Sequence, residues 1–152
     1  MDAAYLRQRA ADFGYRYLHR YRALVQEHGH QPLTASALWV PAAPKAFLGV
    51  SWWLAERTLN DAVSAALGEI EFTLPFHGQC AEPVSITKAL RELGDTGKLA
   101  GGRCVAIRLD LTNTSLKPGD TFRPRGTFGH IKAACEVCSK LLEGFGIEHI
   151  DR

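Results

Sequence analysis

A chain of 152 residues, 46% apolar and 22% charged, has the length and composition of one compact domain with a sizeable core. Its net charge of +2 is too small to announce a nucleic-acid partner through the field of the whole protein, and leaves room only for a local basic path. Residues 1–25 scatter Arg7, Arg9, Arg16, Arg20 and Arg22 among apolar positions without an unbroken hydrophobic run, which excludes the shape of a signal peptide or membrane span.

In chain order, Ala4, Tyr5, Phe13, Tyr17, Leu18, Tyr21, Leu24 and Val25 recur three to four residues apart, and predict an amphipathic helix over 3–27 within an N-terminal segment 1–30. Its outer face is rich in arginine. "SALWV" and "KAFLGVSWW" flank "PAAPK" and read as two strands with a tight connection. The pair Trp52-Trp53 alternates across the second of them, one ring inward and one covered by a helix. "AERTLNDAVSAAL" is helix-like, and "EIEFTLPF" is strand-like but interrupted by Pro75. From Glu82 the spacing of Val84, Ile86, Ala89, Leu90 and Leu93 gives one face of a helix that Gly94 and Gly97 stop. "CVAIRLDL" is a strand, residues 112–130 a long loop, "ACEVCSKLLEGF" a helix and "IEHI" a last strand. This order of elements predicts an α/β fold, a three-layer sandwich with a central mixed sheet and helices on both faces.

Four cysteines occur, and in a chain with no export signal they favour metal or redox chemistry in a reducing compartment over a disulfide framework. Cys80 and the pair Cys135 and Cys138 fall at predicted helix starts, where free N–H groups and the positive end of the dipole stabilise thiolates. Two such starts facing each other make a three-thiolate pocket. Zn²⁺ takes three protein ligands and keeps a fourth position for water, and Glu82 has the reach to carry protons beside it. Cys104, alternating with polar neighbours in "RCVAIRL", reads as a core residue and is given no chemistry.

At these residues the chain resembles the zinc-dependent cytidine deaminase superfamily, whose pattern is His or Cys, any residue, Glu, and a later Cys-x-x-Cys. "HGQCAEP" together with "CEVCSKLLEGFGIE" looks closest to the YwqJ-like deaminases, often toxin domains of bacterial polymorphic toxins. The resemblance covers residues 77–150. It implies a cytidine deaminase-like sandwich, Cys80, Cys135 and Cys138 as zinc ligands, Glu82 as the catalytic proton shuttle and Ala81 beside the substrate. It also implies hydrolytic removal of ammonia from cytosine, an inhibitory immunity protein as a partner, and a cytoplasmic protein or one delivered into a target cell. The chain departs from the pattern in three places, one being that Cys135 lies 55 positions after Cys80, farther than in the compact nucleoside enzymes, with the extra length in the loop before His130. Ala134 stands where the superfamily has Pro before Cys-x-x-Cys, and Pro83 stands where three-thiolate nucleoside enzymes carry Arg, so another group is expected to offset the charge on sulfur.

His77 and His130 lie near the motifs and are candidate substrate contacts, although hydrogen-bonded or solvated histidines are commonplace at such positions. Lys117, Arg123, Arg125 and Lys132, interleaved with Phe122 and Phe128, form a basic aromatic stretch suited to flanking phosphates, or simply a solvated loop. Three functions follow. The first is a toxin-type deaminase acting on cytosine in nucleic acid, single- or double-stranded. The second is a deaminase of a free nucleoside, nucleotide or nucleoside antibiotic, which a chain starting at Met1 without a delivery domain would suit. The third, of another class, is a non-catalytic zinc-stabilised binding module. None requires a membrane.

Overall fold

A computed structural model of the chain describes residues 1–23, 27, 33–51, 59–70, 80–112, 123–124 and 126–152. The first helix, α1 (Ala3–Arg20), begins where the carboxylate of Asp2 accepts the N–H of Tyr5 at 2.7 Å. Leu6, Ala10, Tyr17 and Leu18 form its buried stripe, while Arg7, Arg9, Arg16 and Arg20 stay exposed. The helix predicted over 3–27 is interrupted rather than continuous: α1 closes with Tyr21 as C-cap, and Arg22, Ala23 and Glu27 beyond that turn are again helical. Spacing fixes a face but not a break in the helix, and Tyr21 still packs against Tyr17 in a tilted arrangement with ring centroids 4.6 Å apart.

The predicted hairpin is present: β1 (Thr34–Trp39) and β2 (Ala46–Val50) pair antiparallel from Ala35 opposite Val50 to Trp39 opposite Ala46. β3 (Arg103–Arg108) pairs antiparallel with the other edge of β1, and β6 (Glu148–Ile150) lies parallel to β3. The four-stranded sheet therefore runs β2-β1-β3-β6 and is mixed, as expected. A parallel neighbour needs a crossover, and the crossover from β3 to β6 carries a helix, α4 (Glu136–Gly144). The long stretch after β3 is less irregular than predicted, because β4 (Leu111–Thr112) pairs with β5 (Arg123–Pro124) in a separate two-stranded ribbon. The predicted Trp52-Trp53 alternation and most of "EIEFTLPF" lie outside the described residues.

Strand alternation sorts side chains into two cores, one on each face of the sheet. Ala35, Ala37, Val105 and Ile107 meet Leu6, Ala10 and Leu18 of α1. Leu38, Phe47 and Cys104 meet the other helices: α2 (Asp61–Glu69) through Val63 and Leu67, α3 (Ala81–Leu93) through Ile86 and Leu90, and α4 through Val137 and Leu141. The result is three layers, helix on sheet on helices. Each fully buried Leu or Ile contributes about 1.5–3 kcal/mol of transfer free energy, so both cores are needed to hold the sheet. Cys104 is fully buried in the second core, as its alternation predicts. Among the described residues no helix is long and apolar enough to cross a membrane.

α3 ends as the sequence predicts. Gly94 occupies the left-handed region at φ 72°, a conformation only glycine adopts cheaply, and its N–H bonds to the carbonyl of Leu90. The start of α3 is held by something no local pattern announces. A Cβ on Gly49 in β2 would come within 2.7 Å of the Ala81 carbonyl oxygen and 2.9 Å of the Ser85 nitrogen, both backbone atoms of α3. The first turn of the helix therefore sits directly on the strand. Gly49→Ala is expected to destabilise the fold by roughly 1–3 kcal/mol through overpacking, whereas Gly68→Ala in α2, with open space around it, should stabilise slightly. Urea unfolding midpoints of the two variants check this, and equal midpoints would deny the close approach.

Candidate metal centre

Cysteine is an unusual N-cap, a position that favours the side-chain oxygens of Ser, Thr, Asp and Asn. Two helices here nevertheless start on cysteine: Cys80 is the N-cap of α3 and Cys135 the N-cap of α4. Both have extended backbone, φ −73° and −65°. Cys80 makes no capping bond, so its sulfur is left for other work. Cys135 accepts the N–H of Cys138 at 3.4 Å, an arrangement that Cys-x-x-Cys spacing creates across one helical turn.

The sheet carries these two helix starts toward one another. The sulfurs of Cys80, Cys135 and Cys138 all lie within 4.8 Å of one another, with Cys80 and Cys135 at 3.7 Å. None is in a disulfide. Two thiolates at about 2.3 Å from a tetrahedral zinc would stand about 3.8 Å apart, so the donor set and its spacing fit a metal ion.

Electrostatics at the cluster are those of one shared negative charge. Hydrogen bonds from the Cys138 and then the Cys80 thiols hold Cys135 down at about 2. The same bonds act in reverse on the partners: Cys80 is pushed up to about 12, first by its bond to Cys135, and Cys138 is raised for the same reason. Thiols bridged around a thiolate at a helix start are poised to exchange protons for a cation.

Glu82, in the first turn of α3, is 3% exposed. Burial pushes its carboxyl up to about 6, opposed by its own backbone N–H and by the ammonium of Lys132, with Cys135 pushing the same way as burial. Pro83 follows in the first turn, where a missing N–H costs nothing because no intrahelical acceptor exists there. Glu82, Cys80, Ala81 and Cys135 line one cavity of about 400 Å³ together with Leu33, Thr34, Ser51, Ala106, Lys132 and Ala133. That volume is within the range of small-molecule sites.

The other candidate residues are placed differently. Ala81 is fully buried, its carbonyl accepting the Ser36 hydroxyl at 2.9 Å. His130 is exposed and not part of the cavity wall, and its carbonyl accepts from Arg108. Arg123 is exposed on β5, away from the cavity lining. His77, Arg125, Lys117 and Phe122 lie outside the described residues. Lys132 does reach the cavity: its N–H bonds to Ala106 and its ammonium to the Thr34 hydroxyl at 3.4 Å. It is the cation acting on Glu82 where the sequence offers Pro83 instead of arginine.

Thr34, Ser51 and Ala106 were not legible as cavity residues. Alternation puts Thr34 on the same face as Ser36 and Leu38, but only the landing point of α3 decides which end of that face opens. No protein-family model, curated protein or solved structure matches the chain. What stands is a mixed α/β protein with a three-cysteine cluster able to hold a metal ion, next to a buried carboxyl in a cavity.

Replacing Cys80, Cys135 or Cys138 singly with Ser is expected to lose bound metal and lower thermal stability, because binding energy of a structural-type ligand set is also folding energy. Cys104→Ala should keep one metal per chain. Elemental analysis of the four purified variants decides this, and equal metal content across them would remove the cluster as a ligand set.

Proposed function

We propose that the protein is a zinc-dependent hydrolytic deaminase of an amino-bearing nucleobase, with cytosine in nucleic acid, in a toxin setting, as the first substrate. The observation that carries this reading is the burial of the Glu82 carboxyl at a cavity wall shared with two of the three clustered sulfurs. Three soft donors suit zinc among the common divalent ions. When bound, zinc supplies Lewis acidity toward a water at its open position.

The remaining chemistry belongs to the chain. Glu82 takes a proton from the attacking water and gives it to the ring nitrogen of the base; it then takes the remaining proton of the hydroxyl added to the ring carbon and gives it to the amine, which leaves as ammonia while that carbon becomes a carbonyl. A carboxyl raised toward neutrality by burial is matched to that double duty, since it must be base first and acid second. Ala81 and Ala106, both buried, give the cavity an apolar floor beside the carboxyl that limits competition from bulk water for the same proton. Lys132 offsets part of the negative charge of the Glu82 carboxylate at the cavity.

Glu82→Gln preserves shape and hydrogen-bonding capacity but cannot shuttle a proton. The expected result is a folded protein with its zinc retained and turnover reduced by roughly two orders of magnitude or more. Turnover is read as a mass gain of about one dalton per converted base, over a panel of free nucleosides and single- and double-stranded oligonucleotides. A Gln variant with near-normal turnover would make Glu82 a helix cap only, and a wild-type protein that holds zinc but converts nothing would favour the binding module.

A further inference from the structure

The cavity in front of Glu82 has a wall of hydrogen-bond donors that the proton-transfer chemistry does not use. Thr34 and Ser51 are 5% and 7% exposed, so both hydroxyls are buried where they line it. The Ser51 oxygen accepts two N–H groups, those of Leu33 and Thr34, each at 3.1 Å. A hydroxyl has two lone pairs and one proton, so the hydrogen-bonding capacity left to Ser51 is donation. The Thr34 oxygen accepts from the Lys132 ammonium at 3.4 Å. That bond orients Thr34 with its proton still to give, and Lys132 keeps further donors of its own.

These groups are held rigidly. Thr34 and Ser51 are tied to each other twice, since the Ser51 N–H also bonds to the Thr34 carbonyl at 2.9 Å. The neighbouring Leu33 carbonyl accepts from Leu109 of the chain leaving β3. Among the described residues neither hydroxyl proton meets an acceptor, and a buried donor without one is unfavourable, so the wall selects ligands that bring an oxygen or equivalent acceptor to it. Glu82 on the same cavity requires the complementary feature, an amino group on a ring carbon beside a basic nitrogen.

We infer that Thr34, Ser51 and Lys132 form a carbonyl-recognition subsite, which selects amino-bearing rings that also carry an exocyclic carbonyl oxygen. The inference rests on the deaminase reading and supplies it with a residue-level reason for its substrate. Cytosine carries both groups on one ring and guanine carries them on its six-membered ring. Adenine has the amino group and no carbonyl. A site built to donate to a carbonyl discriminates against a ring lacking it more strongly than an apolar pocket discriminates by size.

The test uses the zinc-loaded full chain with free cytidine, guanosine and adenosine, and with thymidine-flanked oligonucleotides that each carry one cytosine, guanine or adenine. Conversion of a carbonyl-bearing base should exceed that of adenine by about tenfold or more in kcat/KM. Thr34→Val keeps the β-branched shape and removes the donor, so it should lower that preference about tenfold, mainly through KM, at unchanged zinc content. Thr34→Ser should restore it. Lys132→Gln, at an exposed position, carries the same direction of change should Thr34→Val fail to fold. Adenine converted as well as either carbonyl base, or a preference untouched by both variants, would overturn the subsite and leave the deaminase reading standing. Conversion of none of the bases would overturn both.

Discussion

A buried hydroxyl of the sheet, Ser36 Oγ, donates to the carbonyl of Ala81, and the same oxygen contacts the hydroxyl of Ser85 one turn further along α3. Gly49 on the neighbouring strand leaves room for this turn to sit on the sheet without a side chain between them. The position of Cys80 and Glu82 depends on that contact. They are the N-cap and second residue of the helix whose first turn it fixes, so a shift of the turn would move sulfur and carboxyl together. The opposite half of the centre is set independently: the N–H of Lys132 binds Ala106 in β3, and α4 then starts on Cys135 before the chain returns as β6. One side-chain anchor on β1 and one backbone anchor on β3 thus bring three sulfurs within 4.8 Å of one another.

Much of the architecture follows from local patterns. The hairpin is written in two apolar runs around a proline-rich turn, the C-terminus of α3 in Gly94, and the parallel return of β6 in the strand-helix-strand order that forces a crossover. The placement of both cysteine motifs at helix starts is equally local, since each precedes a run of residues with helical apolar spacing. Cys104 was separable from the other three cysteines because its neighbours alternate as a strand does.

Other features are tertiary and left little trace in the sequence. Ser36, Gly49 and Ser85 are small residues in three different elements, and nothing in their local context marks them as the seat of α3. Thr34 and Ser51 become cavity walls only once the hairpin register pairs the ends of β1 and β2 beside that seat. Lys132 was visible as one cation in a basic stretch. Its action on Glu82 comes from the Ala106 backbone bond, which draws the segment after His130 along β3. The separation of His130 from the cavity has the same origin: its backbone is used by Arg108 and Thr127 while its side chain stays in solvent.

The central claim is that the two helix starts form one metal centre with three sulfur donors and an open position. X-ray absorption at the zinc edge of the loaded, purified protein reports this directly. The account predicts a shell of three sulfurs at about 2.3 Å and one lighter atom at about 2.0 Å, unchanged in Glu82→Gln. A four-sulfur shell, a shell with fewer than three sulfurs, or loss of the light atom's place to Glu82 itself would contradict it.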